Sequence, residues 1–154
     1  MNKILSTSII LFCAIILSSS IEANPNKLTC LVSGEEISLS NAETVKYKDG
    51  KVYFCCPGCS SDFAENTNQY TAAANFQLVL TSQYIQSTCP ATGRKIKKDA
   101  KAEPKVVKVN GHTVELCCGG CLKKTTKMTN AKRMEFLFSD KSFKNGYVLA
   151  KSKK

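Results

Sequence analysis

Histidine occurs once in the 154 residues, tryptophan not at all, and no long apolar run is present. With one imidazole, His112, and no paired carboxylates, no nucleophile–base arrangement can be assembled, so an enzyme is not expected. Asp62, Glu65 and Glu115 read as surface or capping groups, His112 as an exposed turn residue, and Met128 and Met134 as core residues at helical spacing. The formal charge of +10 comes from 22 Lys and Arg against 12 Asp and Glu. The lysines are scattered without a basic-aromatic platform, which argues for a solvated basic surface and against a specific nucleic-acid partner. The stretch from Ile4 to Leu17 falls short of the roughly 20 residues that a comfortable membrane span needs.

That stretch follows Lys3 and leads to Ser18-Ser19-Ser20 and Glu22-Ala23, the layout of a secretory signal peptide. Residues 1–23 are therefore expected to be removed, after Ala23 or alternatively after Ser20, taking Cys13 with them. The protein is then secreted or periplasmic, with membrane contact only if the signal persists as an anchor.

What the chain has in quantity is cysteine. Phe54-Cys55-Cys56-Pro57-Gly58-Cys59 returns as Leu116-Cys117-Cys118-Gly119-Gly120-Cys121. Each cluster has a solitary cysteine upstream, Cys30 and Cys89, followed four residues later by Gly34 and Gly93, which suggests a tight turn. Between lone cysteine and cluster, Asp49-Gly50 and Asn110-Gly111 are flanked by alternating strand residues, a hairpin signal. Turns, strands and thiols correspond one to one, so the chain is an internal repeat. The expected fold class is α+β: a first module over 24–80, a second over 81–130, and a helical and strand extension with a Lys-rich tail over 131–154. Two small β-hairpin plus helix modules should pack as a pseudo-symmetric pair.

Finer expectations follow from local signals. Ser40 to Glu43 reads as one capped helical turn. A helix capped by Ser60 or Ser61, with Asp62 in its first turn, should present Phe63 and end among Thr71 to Asn75. Phe76 to Leu80 reads as a strand or apolar linker, Ser82 to Ser87 as a connection, and Lys97 to Lys105 as a solvated loop. A second helix over Leu122 to Asn130, continuing through Ala131 to Phe138, should bury less where Thr125 replaces Phe63. Asn145-Gly146 reads as a turn before a last strand, Tyr147 to Leu149.

Three chemistries suit such thiols. Thiolates at these spacings can surround zinc, which takes four, or copper(I), which accepts fewer. Successive residues of a strand point to opposite faces, so the expected ligand sets are Cys30, Cys55 and Cys59, and Cys89, Cys117 and Cys121. Cys56 and Cys118 are each a fourth ligand or a lining thiol. In an exported chain, the same cysteines also suit a disulfide framework holding an interaction domain. Cys56-Pro57-Gly58-Cys59 and Cys118-Gly119-Gly120-Cys121 suit thiol–disulfide exchange, although no βαβ unit surrounds them.

The lone cysteine, hairpin, Phe-Cys-Cys-Pro-Gly-Cys and a Phe four residues on resemble the YHS and TRASH families of small metal-binding modules. The resemblance covers Cys30 to about Tyr70 and, less closely, Cys89 to about Asn130. It implies treble-clef-like modules and a role in heavy-metal trafficking, buffering or resistance, with the metal ion and another metal-handling protein as partners.

Overall fold

The computed structural model describes residues 28–97 and 103–151. The expected signal peptide, both cleavage points, Cys13, part of the Lys97–Lys105 loop and the end of the Lys-rich tail lie outside these residues. The architecture is α+β, with five helices and three antiparallel strand pairs among the described residues.

The first described element is a loop closed by backbone bonds around Cys30. Its N–H donates to the Glu35 carbonyl at 2.7 Å, and its carbonyl accepts from Gly34 at 3.0 Å. Cys89 repeats both bonds, with Arg94 and Gly93, at 2.9 and 2.7 Å. Gly34 and Gly93 hold φ of 75° and 71°, a left-handed conformation that other residues adopt at a cost. The glycine four places after each lone cysteine is thus the residue that lets the loop turn back.

Strands β1 (Glu43–Tyr47) and β2 (Gly50–Phe54) form the first hairpin, and β4 (Val106–Val109) and β5 (His112–Glu115) the second. In the second, Asn110 and Gly111 are the two turn residues, at φ of 45° and 83°. The first hairpin instead turns at Lys48-Asp49, because Tyr47 already pairs with Gly50. Gly50 lies where a Cβ would come within 2.6 Å of Gln83 Oε1. Glu43 opens β1, so the helical turn expected from Ser40 is absent; a turn from Ser38 to Asn41 takes its place.

Helix α1 (Pro57–Glu65) starts earlier than a Ser60 or Ser61 cap requires, with Pro57 in its first turn and Cys56 as N-cap. Proline's fixed φ and missing N–H suit that position. Asp62 is consequently not in the first turn, and its carboxylate instead accepts from the Tyr70 hydroxyl and from Asn66. Phe63 is buried against Tyr47, Phe54 and Tyr70 as its spacing predicts. After a 3-10 turn (Thr67–Tyr70), α2 (Thr71–Leu80) begins where the first helix was expected to end. Phe76 to Leu80 is therefore buried helix rather than strand, a distinction that a short apolar run does not encode. Strand β3 (Tyr84–Gln86) occupies the expected connection.

In the second half, α3 (Gly119–Thr126) and α4 (Asn130–Phe138) are separate, and the Thr129 hydroxyl caps α4 by accepting from Lys132 N–H. Thr125 is fully buried, its hydroxyl donating to the Cys121 carbonyl at 3.0 Å, so this side of α3 is filled despite the lost aromatic. Asn145 and Gly146 end a further helix, α5 (Asp140–Gly146), rather than forming a free turn; β6 (Tyr147–Leu149) follows and pairs with β3. Gly146 packs directly on Pro90, where a Cβ would meet Pro90 Cβ at 2.6 Å.

The halves share one apolar core, with α2 against α4. Phe138 lies at its centre, fully buried, with ring centroids 4.9 Å from Phe76 and 5.2 Å from Tyr147. Asn75 ties the same region together: its amide donates to the Phe138 carbonyl at 2.9 Å while its oxygen accepts from the Tyr47 hydroxyl. None of the described helices is long and apolar enough to cross a membrane. Replacing Phe138 with Ala should destabilise the protein by about 3–5 kcal/mol, read as a lower midpoint in denaturant unfolding; an unchanged midpoint would remove Phe138 from its central place.

Candidate metal centre

Each thiol cluster lies where a strand passes into a helix, and the chain there changes direction within one residue. Cys55 follows the end of β2 and is half-buried, Cys56 is extended and exposed, and Cys59 falls in the first turn of α1. Cys118 has the same extended backbone, at φ −157° and ψ 162°, and its Sγ accepts from Cys121 N–H at 3.5 Å. The reversal brings residues four apart back together. Cys55 Sγ and Cys59 Sγ are 3.7 Å apart, and Cys117 Sγ and Cys121 Sγ 3.9 Å.

Buried Cys30 and Cys89 complete the two groups. The Sγ atoms of Cys30, Cys55 and Cys59 all lie within 4.8 Å of one another, as do those of Cys89, Cys117 and Cys121. Metal–sulfur bonds of about 2.3 Å place ligand sulfurs roughly 3.8–4.0 Å apart, so both groups are close to the size an ion demands. Cys56 and Cys118 stand outside these triads, each 3.5 Å from its helical partner, Cys59 or Cys121. All eight described cysteines are free thiols. Among the described residues no histidine or carboxylate joins either group. His112 opens β5 half-buried, its ring edge-on to Phe76 at 5.9 Å, rather than standing exposed in the turn; burial lowers its pKa.

Two sets of supporting residues escape a reading of the sequence. Ser33 Oγ is 3.4 Å from Cys55 Sγ, and Thr92 Oγ1 is 3.3 Å from Cys117 Sγ. Both hydroxyls stand three residues after the lone cysteine, a match visible in the sequence but without meaning until the loop is folded. The second set is a pair of glutamines. Gln77, 2 % exposed, accepts from Tyr53 N–H at 2.7 Å and donates to the carbonyls of Tyr53 and Thr29. Gln86 does the same for Glu115 N–H, Glu115 carbonyl and Thr88 carbonyl. Thr29 and Thr88 immediately precede the lone cysteines, and Tyr53 and Glu115 stand two before the clusters. Each amide thus clamps a lone-cysteine loop to the strand that leads into its partner thiols. Gln77 comes from α2 and Gln86 from β3, so no common offset announces them.

The thiols divide their protons unevenly. Burial opposes the Cys30 thiolate, but N–H groups of Ser33, Cys55 and Val32 and the Ser33 hydroxyl outweigh it and lower the pKa to about 6. Cys89 is lowered likewise, against its burial, by Cys117 N–H and the Thr92 hydroxyl. The Cys56 thiol beside it, with burial and the Cys55 and Cys30 sulfurs, pushes Cys59 up to about 12; burial, then Cys118 and the Cys89 charge, do so for Cys121. Cys118 drops to about 7, led by Cys121 N–H. The first triad therefore holds a thiolate ready-made on Cys30, Cys89 is shifted in the same direction, and each triad has a thiol that holds its proton firmly, Cys59 or Cys121.

No protein-family model matches this chain, and neither the curated proteins nor the solved structures compared with it contain a match.

Because the ligands must lose protons, affinity for a thiophilic ion should fall as pH drops, most steeply once pH passes below about 6 and Cys30 itself is protonated; metal titrations across that range measure it, and a pH-independent affinity would speak against thiolate ligands. Gln77→Leu should cost about 1–3 kcal/mol in denaturant unfolding for each backbone group it leaves buried and unpaired.

Proposed function

We propose that the protein binds thiophilic metal ions, one in each cysteine triad, for trafficking, buffering or resistance, without turnover. The observation that carries this reading is the convergence of Cys30 with Cys55 and Cys59, and of Cys89 with Cys117 and Cys121, from separate parts of the chain. Cys56 and Cys118 lie beside these centres, each 3.5 Å from one triad sulfur, as lining thiols and not as ligands. Softness of the sulfurs favours copper(I) or zinc among common ions. The signal-like stretch over 1–23 supports reading this activity as that of a secreted or periplasmic protein.

The finer architecture in this reading is a pair of tandem treble-clef-like modules, related to the YHS and TRASH type. Support comes from the matched order of lone-cysteine loop, hairpin and thiol helix in both halves. Beyond the thiols, α2 and β3 in the first half correspond to α4 and β6 in the second. These elements meet their own counterparts, α2 on α4 and β3 antiparallel to β6, as a two-fold pair of repeats would.

A second reading, thiol–disulfide exchange, is favoured by one observation: Cys56 and Cys118 lie 3.5 Å from Cys59 and Cys121 at helix starts. One experiment separates these readings and the disulfide-stapled alternative. Metal content and free thiols are measured together on anaerobically purified protein, for the parent, Cys30→Ser and Cys89→Ser. Two bound ions in the parent and one in each variant are expected. Eight oxidised thiols without metal would favour a disulfide framework, and turnover on a disulfide substrate would favour exchange.

A further inference from the structure

Closed zinc sites commonly take their thiolates in pairs, roughly two to four residues apart, and two such pairs make the tetrahedron. The helix-side thiols here satisfy that spacing, whereas the loop side does not. Three residues after Cys30 the chain carries Ser33, and three after Cys89 it carries Thr92. Both hydroxyls nevertheless point at the site, within 3.4 Å and 3.3 Å of Cys55 Sγ and Cys117 Sγ. A hydroxyl is neutral and keeps its proton at ordinary pH, so it donates to a neighbouring thiolate instead of competing as a soft ligand. The remaining thiol of each cluster does not make up the deficit, since Cys56 and Cys118 fall outside the groups whose sulfurs are mutually within 4.8 Å.

We infer that Ser33 and Thr92 are specificity-determining residues: by putting a hydroxyl beside the thiols where a closed zinc site would carry its second loop-side thiolate, they keep both centres three-coordinate and select copper(I) over zinc. Copper(I) is satisfied by few soft thiolates, whereas structural zinc almost always takes four ligands. Donation from each hydroxyl to its thiolate also disperses charge, which suits a monovalent ion better than further negative charge would. The same design appears in both centres with different residues, Ser and Thr, which share only the hydroxyl.

This inference rests on the metal-binding reading above, and its test distinguishes the two. The full chain is titrated without oxygen, under reductant, with copper(I) and with zinc, each against a chromophoric chelator. The variants are Ser33→Cys/Thr92→Cys, Ser33→Ala/Thr92→Ala and Cys56→Ser/Cys118→Ser. Ser33 is exposed, leaving room for the larger sulfur. The Ser33→Cys/Thr92→Cys variant should raise zinc affinity by roughly tenfold or more relative to copper(I), since even an outer-shell partner is worth about 10- to 100-fold. The Ala variant should keep copper(I) at two equivalents, which guards against a folding defect being read as a loss of ligands. Cys56→Ser/Cys118→Ser should leave the preference of the parent unchanged. A parent that already holds zinc through four sulfurs, losing it in Cys56→Ser/Cys118→Ser, would overturn the inference while leaving the metal-binding reading intact. An unshifted preference in Ser33→Cys/Thr92→Cys would overturn it too. A parent that binds neither ion would overturn both.

Discussion

The two cysteine triads depend on a side-chain amide that fastens a loop to a strand. A lone cysteine and its cluster are separated by 24 intervening residues in the first half and 27 in the second, and sulfurs that distant meet only if the intervening backbone is held in register. Gln77 and Gln86 do this with three hydrogen bonds each, two to one residue of the cluster-bearing strand and one to the carbonyl just before the lone cysteine. Such groups are expensive to leave unpaired in a protein interior, so the clamp fixes position as well as adding stability. From it follow the approach of Cys30 to Cys55 and of Cys89 to Cys117, and so the size of each triad.

The clamps bind the centres to the rest of the fold. Gln77 belongs to α2, which packs on α4; Gln86 belongs to β3, which pairs with β6. Each thiol triad is thus positioned by elements that also join the two halves of the chain. Small hairpin-and-helix units bury little apolar area by themselves, and the shared aromatic contacts of Phe76, Phe138, Phe143 and Tyr147 supply what neither half has alone. The uneven protonation of the thiols follows from the same placement, since backbone N–H groups lower Cys30 and Cys89 against their burial, while a neighbouring sulfur leads the rise at Cys59 and burial leads it at Cys121.

Much of the architecture was legible because its signals are local. Asn110-Gly111 marks its turn, Phe63 its buried face, and the repeated cysteine spacing its cysteine triads. Errors arose where two signals of similar strength competed. Ser60 and Ser61 look like helix caps, but Pro57 at the start of the helix is the stronger constraint. Phe76 to Leu80 looks like a strand because every apolar side chain in a fully buried helix erases the periodicity that would reveal it. His112 looked exposed because nothing near it in sequence shows that Phe76 comes to lie against its ring.

The sequence by itself determined which residue types gather and in what order: lone cysteine, glycine turn, hairpin and cluster, each twice. Those features rest on backbone conformations and spacings that involve a few neighbouring residues. Tertiary structure alone decided that Ser33 and Thr92 reach the thiols, and that the glutamine clamps come from non-equivalent elements. Those outcomes depend on contacts between residues as many as 92 positions apart, such as Lys48 with Asp140. Their energies are realised only when the core that holds them has formed.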